Sequence, residues 1–277
     1  MSEILCNKQK YTGYIKLHLG SMFSGKTSTL IEEYIRYSIG NKKCLMIKHE
    51  YDIRFSNTQV TTHDNKYNIS DNINSDIIKE NEIHTTKIAN NIDLNTFKCQ
   101  LLFQADEIIM NNNYDAIFID EIQFFEDSYI FCDKWANNGL IIHASGLNGT
   151  YERKEFKSIA KLIPLVEYIQ QKTAICRETG NEASFTTRTS KDKEIIVIAG
   201  IDKYKPTDRQ TYFNELDFDD KVKYEYELFY DFKNIYCKSK NIQINIDKNK
   251  LIDFIIQKIT NNKINFNYIK MIELFSC

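Results

Sequence analysis

A glycine-rich segment near the amino terminus strongly limits what this chain of 277 residues can fold into. Residues 20–27 read GSMFSGKT, which fits the pattern G-x-x-x-x-G-K-S/T at every fixed position. The two glycines let the backbone turn so that consecutive N–H groups point inward at phosphate oxygens. The alternative is a chance match, which a random chain of this length shows at roughly the 1% level. The segment therefore predicts a phosphate-binding loop.

The segments on either side of this loop have the patterns that such a loop requires. Residues 14–19 are strand-like, residues 27–39 have apolar side chains near helical spacing, and residues 44–47 form a second strand-like run. Strand, loop, helix and strand make a βαβ unit, which predicts a parallel sheet. The helix would direct its N-terminal partial charge at the phosphates of ATP, with Lys26 as a cation and the Thr27 hydroxyl as a ligand for Mg²⁺. We assign phosphate contacts to Gly20, Ser21, Met22, Phe23, Ser24, Gly25, Lys26 and Thr27.

Composition excludes several classes of protein. Apolar residues make up 42% and charged residues 27%, as in soluble globular domains. The net charge is −2, so the basic excess that is usual for nucleic-acid binders is absent. No apolar run reaches the roughly 18 residues of a membrane span, and the first ten residues lack an apolar signal core. Seven cysteines, an odd number without C-x-x-C spacing, suit reduced thiols. We expect a cytoplasmic protein that binds neither nucleic acid nor membrane.

The rest of the chain changes character along its length. Alternating strand and helix patterns recur at 114–120, 128–138, 139–144 and 154–165. Before them, about 65–113 resembles a loop-rich, Asn-rich insertion with a helix near 99–110, and after them come short strands, of which 194–199 is the clearest. We expect an α/β fold, with a P-loop NTPase-like parallel sheet and flanking helices, a small β domain and a C-terminal extension that contains a helix at 250–259. The expected regions are an N-terminal tail (1–12), the α/β domain (13–171), the small domain (172–213) and an extension of unknown role (214–277).

Two carboxylates follow the apolar run 117–119. Asp120, at the end of a predicted strand, is placed to hold Mg²⁺ together with Thr27. Glu121 is placed to accept a proton from the nucleophile, although it would also serve simply to cap the next segment. These two motifs predict a P-loop ATP enzyme and no more, because Glu121 would activate water in an ATPase and a hydroxyl in a small-molecule kinase.

Six motifs in a fixed order resolve this ambiguity. They are GSMFSGKT (20–27), KHEYDIRF (48–55), THD (62–64), DEIQFF (120–125), GLNGTYERKEF (146–156) and GIDKY (200–204). In this order they closely resemble the type II thymidine kinases of animals, bacteria and large DNA viruses, over residues 13–213. The resemblance implies transfer of the γ-phosphoryl group of ATP to the 5′-hydroxyl of thymidine, in nucleoside salvage. It also implies a homotetramer and feedback inhibition by dTTP.

The resemblance also implies roles for single residues. Glu121 matches the general base, and Asp52 and Arg54 match a pair near the transferred phosphoryl group, whose charge Arg54 would stabilise. Residues from about 185 to 204 match a lasso loop, which would bind the thymine edge through its backbone. The alternative for the aromatic members of the pocket is an ordinary place in the core. The implied nucleoside pocket comprises Met22, Phe124, Leu147, Tyr151, Phe156, Val197, Ala199 and Tyr204.

The sequence departs from the family at its structural zinc, which two C-x-x-C pairs usually hold. The matching positions are Cys176, Thr179, Asp208 and Thr211, so three of the four thiolates are missing. We therefore predict that no zinc is bound here. Our hypothesis is that apolar packing or the extra tail holds the base of the lasso instead. A lesser departure is Asn148, where relatives have Asp.

Two other classes of protein are kept as alternatives. A motor or remodelling ATPase would use Glu121 to activate water, and it would need a nucleic-acid surface that the near-neutral charge does not suggest. A non-enzymatic nucleotide sensor would keep the fold and bind thymidine without turnover. A phosphoryl-transfer assay with ATP and a panel of nucleosides separates the three.

Overall fold

The computed structural model describes residues 13–50, 82–88, 92–189, 203–261 and 266–276. The chain forms two compact units, Met1–Arg209 and Gln210–Cys277. None of the helices within the described ranges combines the length and the apolar character that a membrane crossing requires. The described cysteines are free thiols: Cys44, Cys99, Cys132, Cys176 and Cys237.

A seven-stranded sheet forms the centre of the first unit. Its strands are β1 (Tyr14–Gly20), β2 (Cys44–His49), β3 (Ile83–Ile88), β4 (Ile92–Cys99), β5 (Ala116–Ile119), β6 (Ile141–Leu147) and β7 (Tyr168–Lys172). They lie in the order β3-β4-β2-β5-β6-β1-β7, and only the β3–β4 pair is antiparallel. The prediction of an α/β fold with a parallel sheet is confirmed for the central strands, and the antiparallel strand β3 is an addition to it.

Helices cover both faces of the sheet. They are α1 (Lys26–Ile39), α2 (Phe103–Asn111), α3 (Ser128–Asn137) and α4 (Lys157–Leu162). Tyr34 of α1 packs with Met46 and Phe118, whereas Trp135 of α3 packs with Ile47 and Ile117. Alternate residues of β2 and β5 thus face opposite layers, which is why both strands are apolar along most of their length.

One segment differs from its prediction. The helix expected near 99–110 begins at Phe103, and Cys99 is the last residue of β4. In the stretch predicted to be loop-rich, Leu94 and Phe97 are fully buried in the sheet. The prediction was wrong here because polar residues separate these apolar ones, so the short strand lacks a clear period.

Short antiparallel strands follow the main sheet. β8 (Ala174–Ile175) pairs with β9 (Glu182–Ala183), and β10 (Phe185–Arg188) pairs with β11 (Tyr204–Thr207). The strand predicted at 194–199 lies outside the described residues. The β10–β11 pairing places Arg188 directly opposite Tyr204.

The second unit is helical. After α5 (Arg209–Glu215), which begins at the junction, come α6 (Phe218–Lys240), α7 (Lys248–Thr260) and α8 (Tyr268–Phe275). The last three begin with side-chain caps in which Asp217, Asp247 and Asn267 each accept a backbone N–H. The predicted helix at 250–259 is confirmed within α7. The core of this unit contains Phe229, Leu251, Ile255, Met271 and Ile272.

Candidate active site

The carboxyl ends of three strands meet at one edge of the sheet. β6 pairs with β1 on one side and with β5 on the other. The phosphate loop follows β1, and Asp120 and Glu121 follow β5, so all of them lie at this edge. The backbone N–H of Asn148 donates to the carbonyl oxygen of Gly20 at 3.3 Å, which joins the end of β6 to the loop. Ligands of parallel α/β sheets bind at such edges.

The phosphate loop is tightly bent and leads directly into α1. Phe23 and Gly25 both have left-handed backbone angles, with φ of 63° and 73°. The Ser24 hydroxyl donates to the carbonyl oxygen of Ser21 at 2.8 Å, and Lys26 Nζ donates to the same oxygen at 2.6 Å. The ammonium group therefore lies beside the N-terminus of α1, where two sources of positive potential combine.

Glycine at position 20 is required by a close approach of two strands. A Cβ built there would lie 2.2 Å from the carbonyl oxygen of Lys172, at the end of β7, and 2.7 Å from the Ser24 hydroxyl oxygen. Any larger residue would push the loop away from the sheet. The first glycine of the motif thus serves packing as well as the turn.

Thr27 and Asp120 come together although 93 residues separate them. The Thr27 hydroxyl lies 3.2 Å from each carboxylate oxygen of Asp120. Asp120, which is 2% exposed, also accepts from the Ser145 hydroxyl at 2.5 Å and from the Glu121 N–H at 3.1 Å. Hard oxygen donors of this kind fit Mg²⁺, so the donor set agrees with the predicted metal site.

Glu121 lies in the same cavity as the phosphate loop. Its backbone is left-handed, with φ of 52°, which is rare for a residue other than glycine and is strain of a kind concentrated at functional sites. The side chain is 6% exposed. A small open cavity is lined by residues 22–28 and Glu121. The proposed base and six of the eight proposed phosphate contacts, residues 22–27, therefore line one space.

The aromatic pocket residues have different surroundings. Phe124 is half-buried, with its ring centre 5.6 Å from that of His49, whereas Phe125 is fully buried. Phe156, directly before α4, packs against the larger core cluster. Contacts of this kind also fit the plainer interpretation of Phe156 as a core residue.

Tyr151 and Tyr204 meet at a residue that the sequence did not single out. The guanidinium carbon of Arg188 lies 3.9 Å from the ring centre of Tyr151 and 5.4 Å from that of Tyr204. Arg188 also donates a hydrogen bond to the Tyr204 hydroxyl at 3.0 Å. The structure thus brings together two tyrosines that the sequence assigned to the nucleoside pocket.

The segment 183–186, where β9 leads into β10, is tied to the phosphate loop and to the end of β6. The Ser21 hydroxyl donates to the carbonyl oxygen of Ala183 at 2.7 Å, and the Met22 N–H donates to the Thr186 hydroxyl at 3.0 Å. The Asn148 side-chain amide donates to the carbonyl oxygen of Ser184 at 3.2 Å. The side chain of an aspartate at position 148 has no N–H and could not donate to Ser184.

Four predicted site residues lie outside the described part of the chain. These residues are Asp52, Arg54, Val197 and Ala199. Their roles stay predictions. Ser145 and Gln123, by contrast, lie within the described site but were not assigned roles from sequence. The available signal was that Gln123 belongs to the motif at 120–125 and that Ser145 directly precedes the motif at 146–156.

The positions that match the family's zinc ligands form hydrogen bonds. Asp208, 7% exposed, accepts from the Thr179 hydroxyl at 2.6 Å and from the Asn181 side-chain amide at 3.1 Å. Cys176 packs in a small apolar cluster with Ala174 and Ala183. Within the described ranges, no three His, Cys, Asp or Glu side chains are grouped to hold a metal. Polar contacts thus join the turn 176–181 to Asp208, and the prediction that zinc is absent still needs metal analysis.

The fold and the site together define a class of protein. A parallel α/β sheet carries a phosphate loop after its first strand, a Thr–Asp pair suited to Mg²⁺, and a carboxylate in the same cavity. This arrangement is typical of P-loop enzymes that transfer or cleave a nucleotide phosphate.

Comparison with known proteins identifies the family. The sequence matches the family described as "Thymidine kinase" over residues 13–92 and 76–212. It is 40% identical to the "Thymidine kinase" of sheeppox virus (strain KS-1) over 203 residues, 73% of this chain and 98% of that protein. It is 36% identical to "Thymidine kinase 1" of Dictyostelium discoideum over 192 residues, 69% of this chain and 74% of that protein. The chain belongs to the thymidine kinase family and is a kinase.

Proposed function

We propose that the protein transfers the γ-phosphoryl group of ATP to the 5′-hydroxyl of thymidine, giving dTMP and ADP. Family membership supports the reaction class. The observation that carries the proposal is that Glu121 lines the same cavity as the phosphate loop, beside the Thr27–Asp120 pair. A phosphate donor and a carboxylate base can therefore act on one substrate hydroxyl.

The phosphate loop would hold the donor. The N–H groups of the loop and of the first turn of α1 bind phosphate oxygens, and Lys26 turns from the Ser21 carbonyl oxygen toward the β- and γ-phosphates. Thr27 and Asp120 would hold Mg²⁺, which neutralises phosphate charge when it is bound. We assign Arg54 and Asp52 to the same region, where the arginine would stabilise charge on the transferred group.

Glu121 would act on the acceptor. The 5′-oxygen of thymidine forms a bond to the γ-phosphorus, while the bond from that phosphorus to the β–γ bridging oxygen breaks and its electron pair leaves with ADP. The hydroxyl proton passes to the Glu121 carboxylate. Positioning and charge stabilisation supply most of the rate in such transfers.

The nucleoside would lie between the end of β6 and the β10–β11 hairpin. Arg188 supports this placement because it contacts both Tyr151 and Tyr204. Phe156 would support the pocket from the core side, and the backbone near Val197 and Ala199 would read the thymine edge. The proposed pocket residues are Met22, Phe124, Leu147, Tyr151, Phe156, Val197, Ala199 and Tyr204.

A single assay tests this function against its alternatives. The full-length protein is incubated with ATP, Mg²⁺ and each of several nucleosides, and the products are separated by chromatography. Formation of dTMP with one ADP per dTMP supports the proposal. ADP without dTMP, stimulated by DNA, supports a remodelling ATPase, and thymidine binding without any product supports a sensor.

We also propose a homotetramer that is inhibited by dTTP, on the basis of family membership. The chain mass is 32.6 kDa, so a tetramer is readily distinguished from a monomer or dimer by sedimentation equilibrium. Inhibition is measured as the loss of dTMP formation with increasing dTTP. A monomer, or full activity in excess dTTP, would contradict these two proposals separately.

A further inference from the structure

Gln123 is a buried amide between Glu121 and the carboxyl end of β6. It is 5% exposed. Its Nε2 donates to a carboxylate oxygen of Glu121 at 2.5 Å, and its Oε1 accepts from the backbone N–H of Leu147 at 3.1 Å. Both ends of this side chain are therefore engaged.

The amide satisfies both contacts in only one orientation. A backbone N–H can only donate, so Leu147 must face the amide oxygen. The amide nitrogen then faces Glu121, whose ionised carboxylate can only accept. A hydrogen bond to an ionised group is shorter and stronger than one between neutral groups. Gln123 is thus matched to the proton-accepting form of Glu121.

The backbone around Gln123 leaves little room for another arrangement. A Cβ on Gly146 would lie 2.7 Å from Gln123 Oε1 and 2.7 Å from Ile122 Cγ2. The Ser158 hydroxyl donates to the carbonyl oxygen of Gln123 at 3.0 Å, which ties the residue to α4 as well. Glycine at position 146 therefore leaves room for the amide of Gln123, and the hydrogen bond from Ser158 fixes the main chain of Gln123.

We infer that Gln123 is a positioning residue for Glu121, an inference that rests on the proposed function. A glutamate side chain has three rotatable bonds, and the 2.5 Å contact restrains its carboxylate at the cavity wall. The same amide also bonds to the backbone N–H of Leu147, a proposed pocket residue. Gln123 therefore fixes the position of the Glu121 carboxylate relative to the nucleoside pocket. Misplacing a reacting group by about 1 Å can cost on the order of 100-fold in rate.

The direct test compares two substitutions in the full-length protein. Gln123→Met keeps the length of the side chain and removes both hydrogen bonds, and Gln123→Glu keeps the size but cannot donate when ionised. We expect kcat for dTMP formation to fall by about 30- to 100-fold in both, with the KM for thymidine changed by less than about 3-fold. Gln104→Met is the matched control, because the exposed Gln104 lies in the first turn of α2, outside the proposed site, and its side chain also makes two hydrogen bonds to backbone N–H groups. This variant is expected to keep the wild-type rate.

A double substitution separates positioning from general structural damage. If Gln123 acts through Glu121, then Gln123→Met should cost less than about 2-fold further in a Glu121→Gln background. An unchanged kcat in both Gln123 variants, or the same loss in both backgrounds, would overturn the inference. Wild-type protein without thymidine phosphorylation would overturn the proposed function and the inference together. Thermal melting checks folding, and Gln123→Glu carries the test if Gln123→Met does not fold.

Discussion

The hydroxyl oxygen of Thr27 lies 3.2 Å from both carboxylate oxygens of Asp120. Thr27 stands in the first turn of α1, and Asp120 directly follows β5. Because β6 separates β1 from β5 in the sheet, this contact depends on the strand order as well as on the two motifs. The proposed Mg²⁺ site therefore forms only when the fold brings these two motifs together.

Replacing Asp120 tests that site. We expect Asp120→Asn to raise the Mg²⁺ concentration needed for half-maximal activity by about 10-fold or more, because a neutral amide is a weaker ligand than a carboxylate. Activity measured against Mg²⁺ concentration checks this. Asp93→Asn is the control, since Asp93 forms an exposed ion pair with Lys87. An unchanged Mg²⁺ dependence in Asp120→Asn would show that Asp120 does not bind Mg²⁺.

Replacing Arg188 tests the contact between the two pocket tyrosines. Cation–π contacts are worth about 0.5–2 kcal/mol, so we expect Arg188→Met to raise the KM for thymidine by about 10-fold while the KM for ATP stays near wild type. Tyr204→Phe keeps the ring and should have a smaller effect. The exposed Arg36, changed to Met, is the control. Equal changes in both KM values would argue for general damage instead.

Two buried histidines should make stability sensitive to acid. His18 Nδ1 donates to the side-chain amide oxygen of Gln170 at 2.9 Å, the His18 ring stacks with that of His143, and neither ring is exposed. Burial lowers the pKa of each histidine to about 4, from an ordinary value of 6.5. The native rings therefore stay neutral between pH 6.5 and 4, where the unfolded chain binds protons, so stability is full above pH 6.5 and falls as pH drops toward 4.

The size of this effect follows from the shift. At about 1.4 kcal/mol per pKa unit, one such histidine lowers the free energy of unfolding by about 3 kcal/mol when the pH has fallen to 4. Melting temperatures measured from pH 7.5 to 4.5 should fall, and they should fall less steeply in His143→Phe, which replaces a ring stacked on Phe118. If the melting temperatures of the wild-type protein and of His143→Phe fall equally with pH, then His143 is not a source of the acid sensitivity.

The positions that match zinc ligands in the family give a further test. We expect metal analysis of the pure protein to find less than about 0.1 zinc per chain, because Thr179 and Asp208 bond to each other and threonine is a poor zinc ligand. Asp208→Ala, which removes two hydrogen bonds to the turn 176–181, should lower the melting temperature. Near-stoichiometric zinc would refute the first expectation, and an unchanged melting temperature would refute the second.

The part of the site that follows from local pattern could be predicted from sequence. The phosphate loop, Asp120 and Glu121 are each set by a short motif next to a strand, and the structure places them at one edge of the sheet. Gln123 and Arg188 could not be assigned in this way, because each depends on a contact with a residue that is distant in sequence, Leu147 for Gln123 and Tyr151 for Arg188. Recognising Gln123 requires knowing that the Leu147 N–H faces it, and recognising Arg188 requires the register of β10 with β11.

The strands and helices divide in the same way, into those that a local sequence pattern predicts and those that it does not. β2 and β5 were predicted because their apolar runs are continuous, as expected of strands buried on both faces. β4 was missed because Asp93, Asn95 and Lys98 interrupt its buried residues. The long helix α6 was also missed, since its aromatic residues are spread among charged ones and only Phe229 is buried.

The most direct test of the account is the rate of thymidine phosphorylation by wild-type protein and by Glu121→Gln. The wild-type protein should form dTMP from thymidine and ATP with one ADP per dTMP. Glu121→Gln should still bind ATP, because the phosphate loop is intact, and should lose kcat by about 100- to 10,000-fold. A wild-type protein that forms no dTMP, or a Glu121→Gln protein that turns over at the wild-type rate, would contradict the account.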